Sequence, residues 1–370
     1  MAKSRLQQLA ELGQSVWIDS LSREMLETGE LERLIREDSV SGVTSNPTIF
    51  QKALAEGDWY DSELRELASL NDSREIFFRL AEHDVTDACD LLRSVHEKTG
   101  GRDGFVSLEV DPALAYDTER TYEQTLRLHS DIDRPNLLVK IPATRPGLPA
   151  IEDATAAGHS VNVTLIFSLQ RYAEVVDAYL RGLERRIAAA SDIGCINSVA
   201  SFFVSRVDSE ADQRLEVIGS PEALALRGKL AVANAKLAYR HFQEVFSSER
   251  WQYLASKGAR IQRCLWASTS TKNPAYPDTL YVDELIGPDT VNTMPIETIR
   301  AFQERGTAAA TLAQGADEAK LVLEQLEAAG VSYAEVTDTL EAEGVQKFAN
   351  SFDELLSGIE TKLQKLEVGR

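Results

Sequence analysis

Asn136-Leu137-Leu138-Val139-Lys140-Ile141-Pro142-Ala143-Thr144 is the stretch on which the reading of this chain turns. The run is short, apolar and rich in branched residues, and Pro142 ends it, as in a strand buried within a parallel sheet. Side chains alternate along a strand, so Val139 and Ile141 share one face and Leu138 and Lys140 the other. An ammonium buried there is costly unless it is paired or gives up its proton. A neutral lysine amine attacks carbonyls, which is the basis of Schiff-base catalysis. The competing reading of this segment alone is a lysine whose stem follows the strand while its ammonium reaches a surface carboxylate.

Seven further segments repeat the pattern. Val16 and Ile18 oppose Trp17 and Asp19 in Ser15-Val16-Trp17-Ile18-Asp19. Thr44 and Asn46 share a face in Val43-Thr44-Ser45-Asn46-Pro47. Phe105-Val106-Ser107-Leu108-Glu109-Val110 sets Ser107 and Glu109 against Val106, Leu108 and Val110. Ser160-Val161-Asn162-Val163-Thr164-Leu165 places Asn162 and Thr164 together. Ile196-Asn197-Ser198-Val199-Ala200-Ser201, Cys264-Leu265-Trp266-Ala267-Ser268 and Val291-Asn292-Thr293-Met294-Pro295 complete the set of strands.

Stretches long enough for helices separate all these strands, which argues for a parallel α/β sheet. Repetition of the unit eight times argues for a closed (β/α)8, or TIM-type, barrel whose active site lies at the C-terminal ends of the strands. Asp19, Asn46, Glu109, Lys140, Asn162, Thr164, Ser201 and Ser268 all fall at those ends. An open doubly wound sheet is the alternative, but it usually carries a glycine-rich turn after its first strand, and none follows Asp19. Helical spacing is expected over 58–70, 73–98, 117–130, 169–190, 222–246, 296–305, 317–329, 333–342 and 345–366. The last carries Phe348, Phe352, Leu355, Leu356, Ile359 and Leu363 on one face, an amphipathic helix that packs on the barrel. With no low-complexity linker, residues 1–370 are expected to form a single barrel domain with inserted and C-terminal helices.

The 370 residues suffice for one large core, and 43% hydrophobic composition is an ordinary globular level. A formal net charge of −20 disfavours nucleic acid or an anionic membrane as partner, so any phosphate site must be a local cluster of basic residues. Cys89, Cys195 and Cys264 make a disulfide framework unexpected, two of them are assigned to buried strands, and reduced thiols suit a cytoplasmic location. The polar N-terminus, from Met1 to Leu9, has no signal-peptide core, and no apolar run approaches the ~20 residues that span a bilayer. The histidines His83, His96, His129, His159 and His241 form no zinc pattern, and no phosphate-binding glycine loop or nucleophile elbow occurs, so neither metal nor cofactor is expected.

What remains is one lysine, two carboxylates and several short hydrogen-bonding side chains around a barrel mouth. A lysine imine needs a proton delivered to the departing carbinolamine oxygen, and a base to take a hydroxyl proton as a C–C bond breaks. Amides and hydroxyls orient polyol hydroxyls. This is the equipment of a class I aldolase-type enzyme. The structural reading of Glu109 and Asp19, an ion pair with basic neighbours inside the barrel, competes with it.

Four segments carry a resemblance: Thr44-Ser45-Asn46-Pro47-Thr48-Ile49-Phe50, Ser107-Leu108-Glu109-Val110-Asp111-Pro112, Leu138-Val139-Lys140-Ile141-Pro142-Ala143-Thr144 and Val161-Asn162-Val163-Thr164-Leu165-Ile166-Phe167-Ser168. In that order, on successive strands, the chain resembles the longer bacterial transaldolases from residue 15 to residue 294. The resemblance implies Lys140 as the Schiff-base lysine and Asp19 as acid and base for the C–C step. It implies Glu109, through a water positioned with Thr164, for carbinolamine dehydration. Asn46 and Asn162 would hold donor hydroxyls, and Ser201 and Arg206 the substrate phosphate. Shorter members place a second phosphate-binding arginine after the seventh strand, where this chain offers Lys272. Residues 208–258 correspond only loosely. The implied reaction moves a dihydroxyacetone unit from sedoheptulose 7-phosphate to glyceraldehyde 3-phosphate, giving erythrose 4-phosphate and fructose 6-phosphate, in the non-oxidative pentose phosphate pathway. The implied enzyme needs no cofactor and works as a monomer or homodimer. A fructose 6-phosphate aldolase, which releases free dihydroxyacetone, is the nearest rival. That branch tends to carry tyrosine at the position of Phe203, so Phe203 favours transfer. A silent sugar-phosphate-binding protein would have no need of Lys140, Glu109 and Asp19 together.

Overall fold

A computed structural model describes residues 3–368; positions 1–2 and 369–370 of the expected 1–370 unit, Met1 and Ala2 of the N-terminal reading among them, lie outside the described residues. Eight parallel strands close in sequence order into a barrel: β1 (Gln14–Asp19), β2 (Val40–Thr44), β3 (Phe105–Glu109), β4 (Leu137–Pro142), β5 (Val161–Ile166), β6 (Ser198–Phe203), β7 (Gln262–Ala267) and β8 (Thr290–Met294). Helices follow every strand, and β3, β4, β5, β6, β7 and β8 are buried at every position, as expected of strands covered on both faces.

The interior is packed rather than hollow. Trp17 fills it near the N-terminal end, donating from Nε1 to Asp103 Oδ1 at 2.6 Å, with the Arg263 guanidinium carbon 5.9 Å from its ring. Its register partner across β2 is Gly42, where a Cβ would lie 2.5 Å from the indole. Only glycine leaves room for that ring. Arg263 is itself buried, donating to Ser15 Oγ at 2.8 Å and to the Arg102 carbonyl at 2.7 Å.

Four expectations need correction. The second strand ends at Thr44, so Asn46 does not share its face; Pro47 begins a helix, Pro47–Ala55, with Asn46 as its N-cap. Proline at the first helical position has no N–H to leave orphaned, and the asparagine before it accepts from the Ile49 amide. The helix expected over 222–246 is two, Pro221–Leu224 and Leu230–Val245, because Gly228 turns the chain at φ +72° against the Tyr276 ring. The two expected C-terminal helices are one, Tyr333–Val368, running straight through Gly344. Of the cysteines, only Cys264 lies on a strand: Cys89 is buried on helix Ser73–Lys98, and Cys195 is exposed in the turn before β6.

That C-terminal helix packs on the barrel as its apolar face foretells. Phe348, Phe352, Leu355 and Ile359 are buried, each contributing about 1.5–3 kcal/mol. The Phe352 ring meets Phe77 edge-on at 5.1 Å, and Phe77 meets Phe50 of helix Pro47–Ala55 at 5.4 Å. At Gly344 a Cβ would lie 3.1 Å from Leu165 and 3.4 Å from Phe167, so the helix backbone approaches the end of β5 closely. Arg171 links the same regions, donating to the Ala143 carbonyl after β4 at 2.5 Å and lying 3.5 Å from Glu341. No described helix is long and apolar enough to cross a membrane.

Candidate active site

At the C-terminal ends of the strands a cavity of about 280 Å³ opens. Asp19, Asn46, Lys140, Thr164, Ser201, Phe203, Arg206 and Lys272 line it, so eight of the ten residues singled out in the sequence meet there. Glu109 and Asn162 do not line it. They flank Lys140 within the sheet instead, because Lys140 pairs in register with Glu109 on β3 and with Asn162 on β5.

Lys140 is 5% exposed. Its Nζ donates to the Ser45 carbonyl at 3.1 Å and lies 3.3 Å from Glu109 Oε2. That oxygen is buried and forms no aligned hydrogen bond among the described residues. The snorkelling alternative is thereby excluded: the ammonium end sits inside the barrel mouth against a carboxyl that is only 7% exposed. Burial pushes the Glu109 carboxyl above its usual range, opposed by the charge of Lys140 and reinforced by Asp19. Asp19, the last residue of β1, accepts from Thr44 Oγ at 2.8 Å, and the Thr44 and Thr293 hydroxyls are 2.6 Å apart. Burial raises its carboxyl also, against the pull of Lys140, Thr44, Arg206 and Lys272. Two carboxyls raised by burial therefore lie near one buried amine at the cavity, where charge is poorly solvated.

The hydroxyl and amide groups are held from behind. Ser201 Oγ donates to Asn162 Oδ1 at 2.7 Å, and Asn162 Nδ2 donates to Ser107 Oγ at 3.0 Å, so both ends of that buried amide are engaged. Asn46 accepts from the Ile49 amide at 3.1 Å as a helix cap, which leaves its NH2 to donate. Thr164 Oγ is buried and without a hydrogen-bond partner among the described residues. It precedes Leu165, a non-glycine residue at φ +59°, where the β5–β6 register shifts between Val163 and Ile166. A bulge there re-aims the strand end at the cavity. Ser268, just past β7, is held at φ +57°, so backbone strain sits at two strand ends beside the cavity.

Arg206 comes from the first turn of helix Ser205–Ile218 and lies over the Phe203 ring at 5.0 Å. Lys272 donates to Ser270 Oγ at 2.7 Å on the segment after β7. Sequence reasoning missed Lys52, Lys347 and the site role of Phe348. Phe348 was legible as part of an apolar helix face, but its position 5.8 Å from Lys140 Nζ and 5.9 Å from the Arg206 guanidinium depends on how that helix lies. Lys52 and Lys347 are exposed lysines on helices, with nothing in the local sequence to mark them. Among the described residues no group of three or more His, Cys, Asp or Glu side chains is arranged to hold a metal ion.

The family described as Transaldolase/Fructose-6-phosphate aldolase matches residues 16–359. A transaldolase of Thermobifida fusca is 56% identical over 362 residues, covering 97% of this chain and 98% of the relative. A transaldolase of Mycolicibacterium smegmatis is 52% identical over 357 residues, 96% of both chains. A protein named transaldolase 1 in Streptomyces coelicolor is 51% identical over 360 residues, 97% of this chain and 94% of that one. Identity at this level, over matches that cover 96–97% of the chain, leaves one conclusion: the chain belongs to the transaldolase/fructose-6-phosphate aldolase family.

Proposed function

We propose that this chain carries out the transaldolase reaction through an imine on Lys140, moving a dihydroxyacetone unit from sedoheptulose 7-phosphate to glyceraldehyde 3-phosphate. The observation that carries the mechanism is a buried lysine at the end of β4, 3.3 Å from a buried glutamate, opening on a cavity with basic side chains at its rim. The amine adds to the ketose carbonyl. Glu109, which burial keeps protonated to higher pH than an exposed glutamate, is placed to supply the proton with which the carbinolamine oxygen leaves as water. A water held by Thr164 would carry it. Asp19 takes the proton from the C4 hydroxyl, the C3–C4 bond breaks, and the aldose departs. The iminium receives the electron pair as an enamine, which waits for the acceptor aldehyde; addition and hydrolysis run the same steps in reverse.

Asn46, with Asn162 behind Ser201, orients donor hydroxyls, and Arg206 holds the phosphate. Phe203 offers no hydroxyl to assist release, which supports transfer over aldolysis. We place the enzyme in the cytoplasm, as a step of the pentose phosphate pathway, with the inserted and C-terminal helices forming one functional unit with the barrel.

Borohydride reduction in the presence of fructose 6-phosphate, followed by peptide mass spectrometry, tests the mechanism. A reduced dihydroxyacetone adduct is expected on Lys140. Sugar-phosphate binding without an adduct would overturn the imine and leave Lys140 as a structural lysine. Lys140→Met is expected to lower turnover by at least about a thousandfold with the thermal transition kept.

A further inference from the structure

Four basic side chains converge at the cavity rim from separate parts of the chain. Lys52 comes from helix Pro47–Ala55, Arg206 from helix Ser205–Ile218, Lys272 from the segment after β7, and Lys347 from the C-terminal helix. None of the four is in a salt bridge among the described residues, whereas basic side chains elsewhere on this surface are extensively paired, as in Arg250 with Asp177 and Glu184. The four feel one another. Arg206 is the chief cause that lowers the Lys347 ammonium, and burial followed by Arg206 and Lys347 lowers that of Lys272. Asp19 attracts Arg206 and Lys272, and Glu109 and Glu343 attract Arg206, but none of these carboxyls is in a salt bridge with the four, and an anion is what offsets the charge that remains.

We propose that Lys347 and Lys52 complete the phosphate subsite that Arg206 and Lys272 begin, so that the C-terminal helix supplies part of the grip on the phosphate monoester of the sugar. This rests on the sugar-phosphate transfer reading above. Lys347 is not on a loose tail. The next residue, Phe348, is buried, with its ring 5.8 Å from Lys140 Nζ and 5.9 Å from the Arg206 guanidinium. One turn earlier Gly344 is packed against Leu165 and Phe167. The helix is seated by apolar contacts and presents its ammonium to the rim. Lysine acts on phosphate as a point charge with rotatable donors, while Arg206 supplies a planar fork. The two kinds of group together fit a dianion whose oxygens point several ways.

The test compares the full-length chain with Lys52→Gln, Lys347→Gln, the double variant and Lys347→Arg. Both glutamine positions are exposed, so the fold is not at stake. Donor kinetics are measured with fructose 6-phosphate and with unphosphorylated fructose, and inorganic phosphate is the competing anion. Each glutamine is expected to raise KM for fructose 6-phosphate about tenfold, and the pair about a hundredfold, while KM for fructose moves by less than about twofold. Inhibition by inorganic phosphate should weaken in the same proportion, and Lys347→Arg should regain most of it. An unchanged ratio of the two KM values, with unchanged phosphate inhibition, would overturn the proposal. Calorimetric binding of inorganic phosphate to the same variants needs no turnover. Equal affinity in wild type and both glutamine variants would overturn it too, whereas a wild type that bound phosphate through these lysines but transferred nothing would overturn only the reading of the reaction.

Discussion

Asp19 and Glu109 are both carboxyls raised by burial beside the same lysine, yet they are given opposite tasks. Glu109 works as an acid, so a raised pKa keeps the proton it must deliver. Asp19 works as a base, so the same shift costs activity on the acid side. An aspartate held above its ordinary 3.8 is protonated earlier on acidification. The acid limb of kcat/KM is therefore expected at higher pH than an exposed aspartate would give, and a limb at or below the ordinary value would remove Asp19 from the base role. The two groups also separate by trapping. Asp19→Asn should still let borohydride trap Lys140, but as the uncleaved fructose 6-phosphate adduct in place of the dihydroxyacetone adduct, while transfer falls by about a hundredfold to ten-thousandfold. Glu109→Gln should slow formation of the adduct itself. At Phe203, a tyrosine would bring a hydroxyl close to Arg206, over whose guanidinium the ring lies at 5.0 Å. Phe203→Tyr is expected to raise release of free dihydroxyacetone, and unchanged release would mean that this position does not decide between transfer and aldolysis.

Helix Ser205–Ile218 has a second task besides presenting Arg206, and it explains part of the region whose sequence gave least guidance. Asp208 is buried, accepting from the Ala231 amide at 2.7 Å and from Tyr281 at 2.8 Å. It thus caps helix Leu230–Val245 and ties in the segment before β8. Burial raises its pKa from 3.8 to about 6, with hydrogen bonds to Ala231 and Tyr281 opposing. A raised carboxyl means that the folded chain binds the extra proton, so stability falls as pH rises from about 4 to about 6. Across that window the loss amounts to about 3 kcal/mol. Asp208→Asn keeps an acceptor and cannot ionise. Its stability relative to wild type should therefore rise over that window in urea unfolding, and parallel pH curves would refute the shift. Polar residues like Asp208 are hard to assign from sequence because their partners come from distant segments. The strands were legible because a short branched run with period two has few other uses, and Lys140 and Glu109 were legible because a charge inside such a run is an anomaly. Gly344 misled for a physical reason. A helical glycine usually marks an end, and here it lets the backbone pass close to Leu165. Gly344→Leu should lower both the melting temperature and turnover, since the side chain would push the helix off the end of β5; a variant with wild-type turnover would separate the helix from the site.

On the scale of the whole molecule, substrate and enzyme repel. The chain carries 59 acidic against 39 basic residues, and its substrates are phosphate esters. Attraction is expected at the cavity that Lys52, Arg206, Lys272 and Lys347 line. The two fields differ in range, and salt separates them. At about 10 mM ionic strength the screening length is about 30 Å, so the charge of the entire body reaches an approaching anion. At about 100 mM it is about 10 Å, and distant carboxylates are largely hidden while the rim cations, within a few ångströms of a bound phosphate, are not. Above that, salt anions compete for the rim itself. The value of kcat/KM for fructose 6-phosphate should therefore rise from about 10 mM to about 100 mM sodium chloride and fall beyond it, with no such maximum for unphosphorylated fructose. A steady fall from the lowest salt would mean that the rim dominates at every distance. A steady rise would mean that the four cations do not act as a cluster, and Lys52→Gln with Lys347→Gln should convert the first profile towards that one.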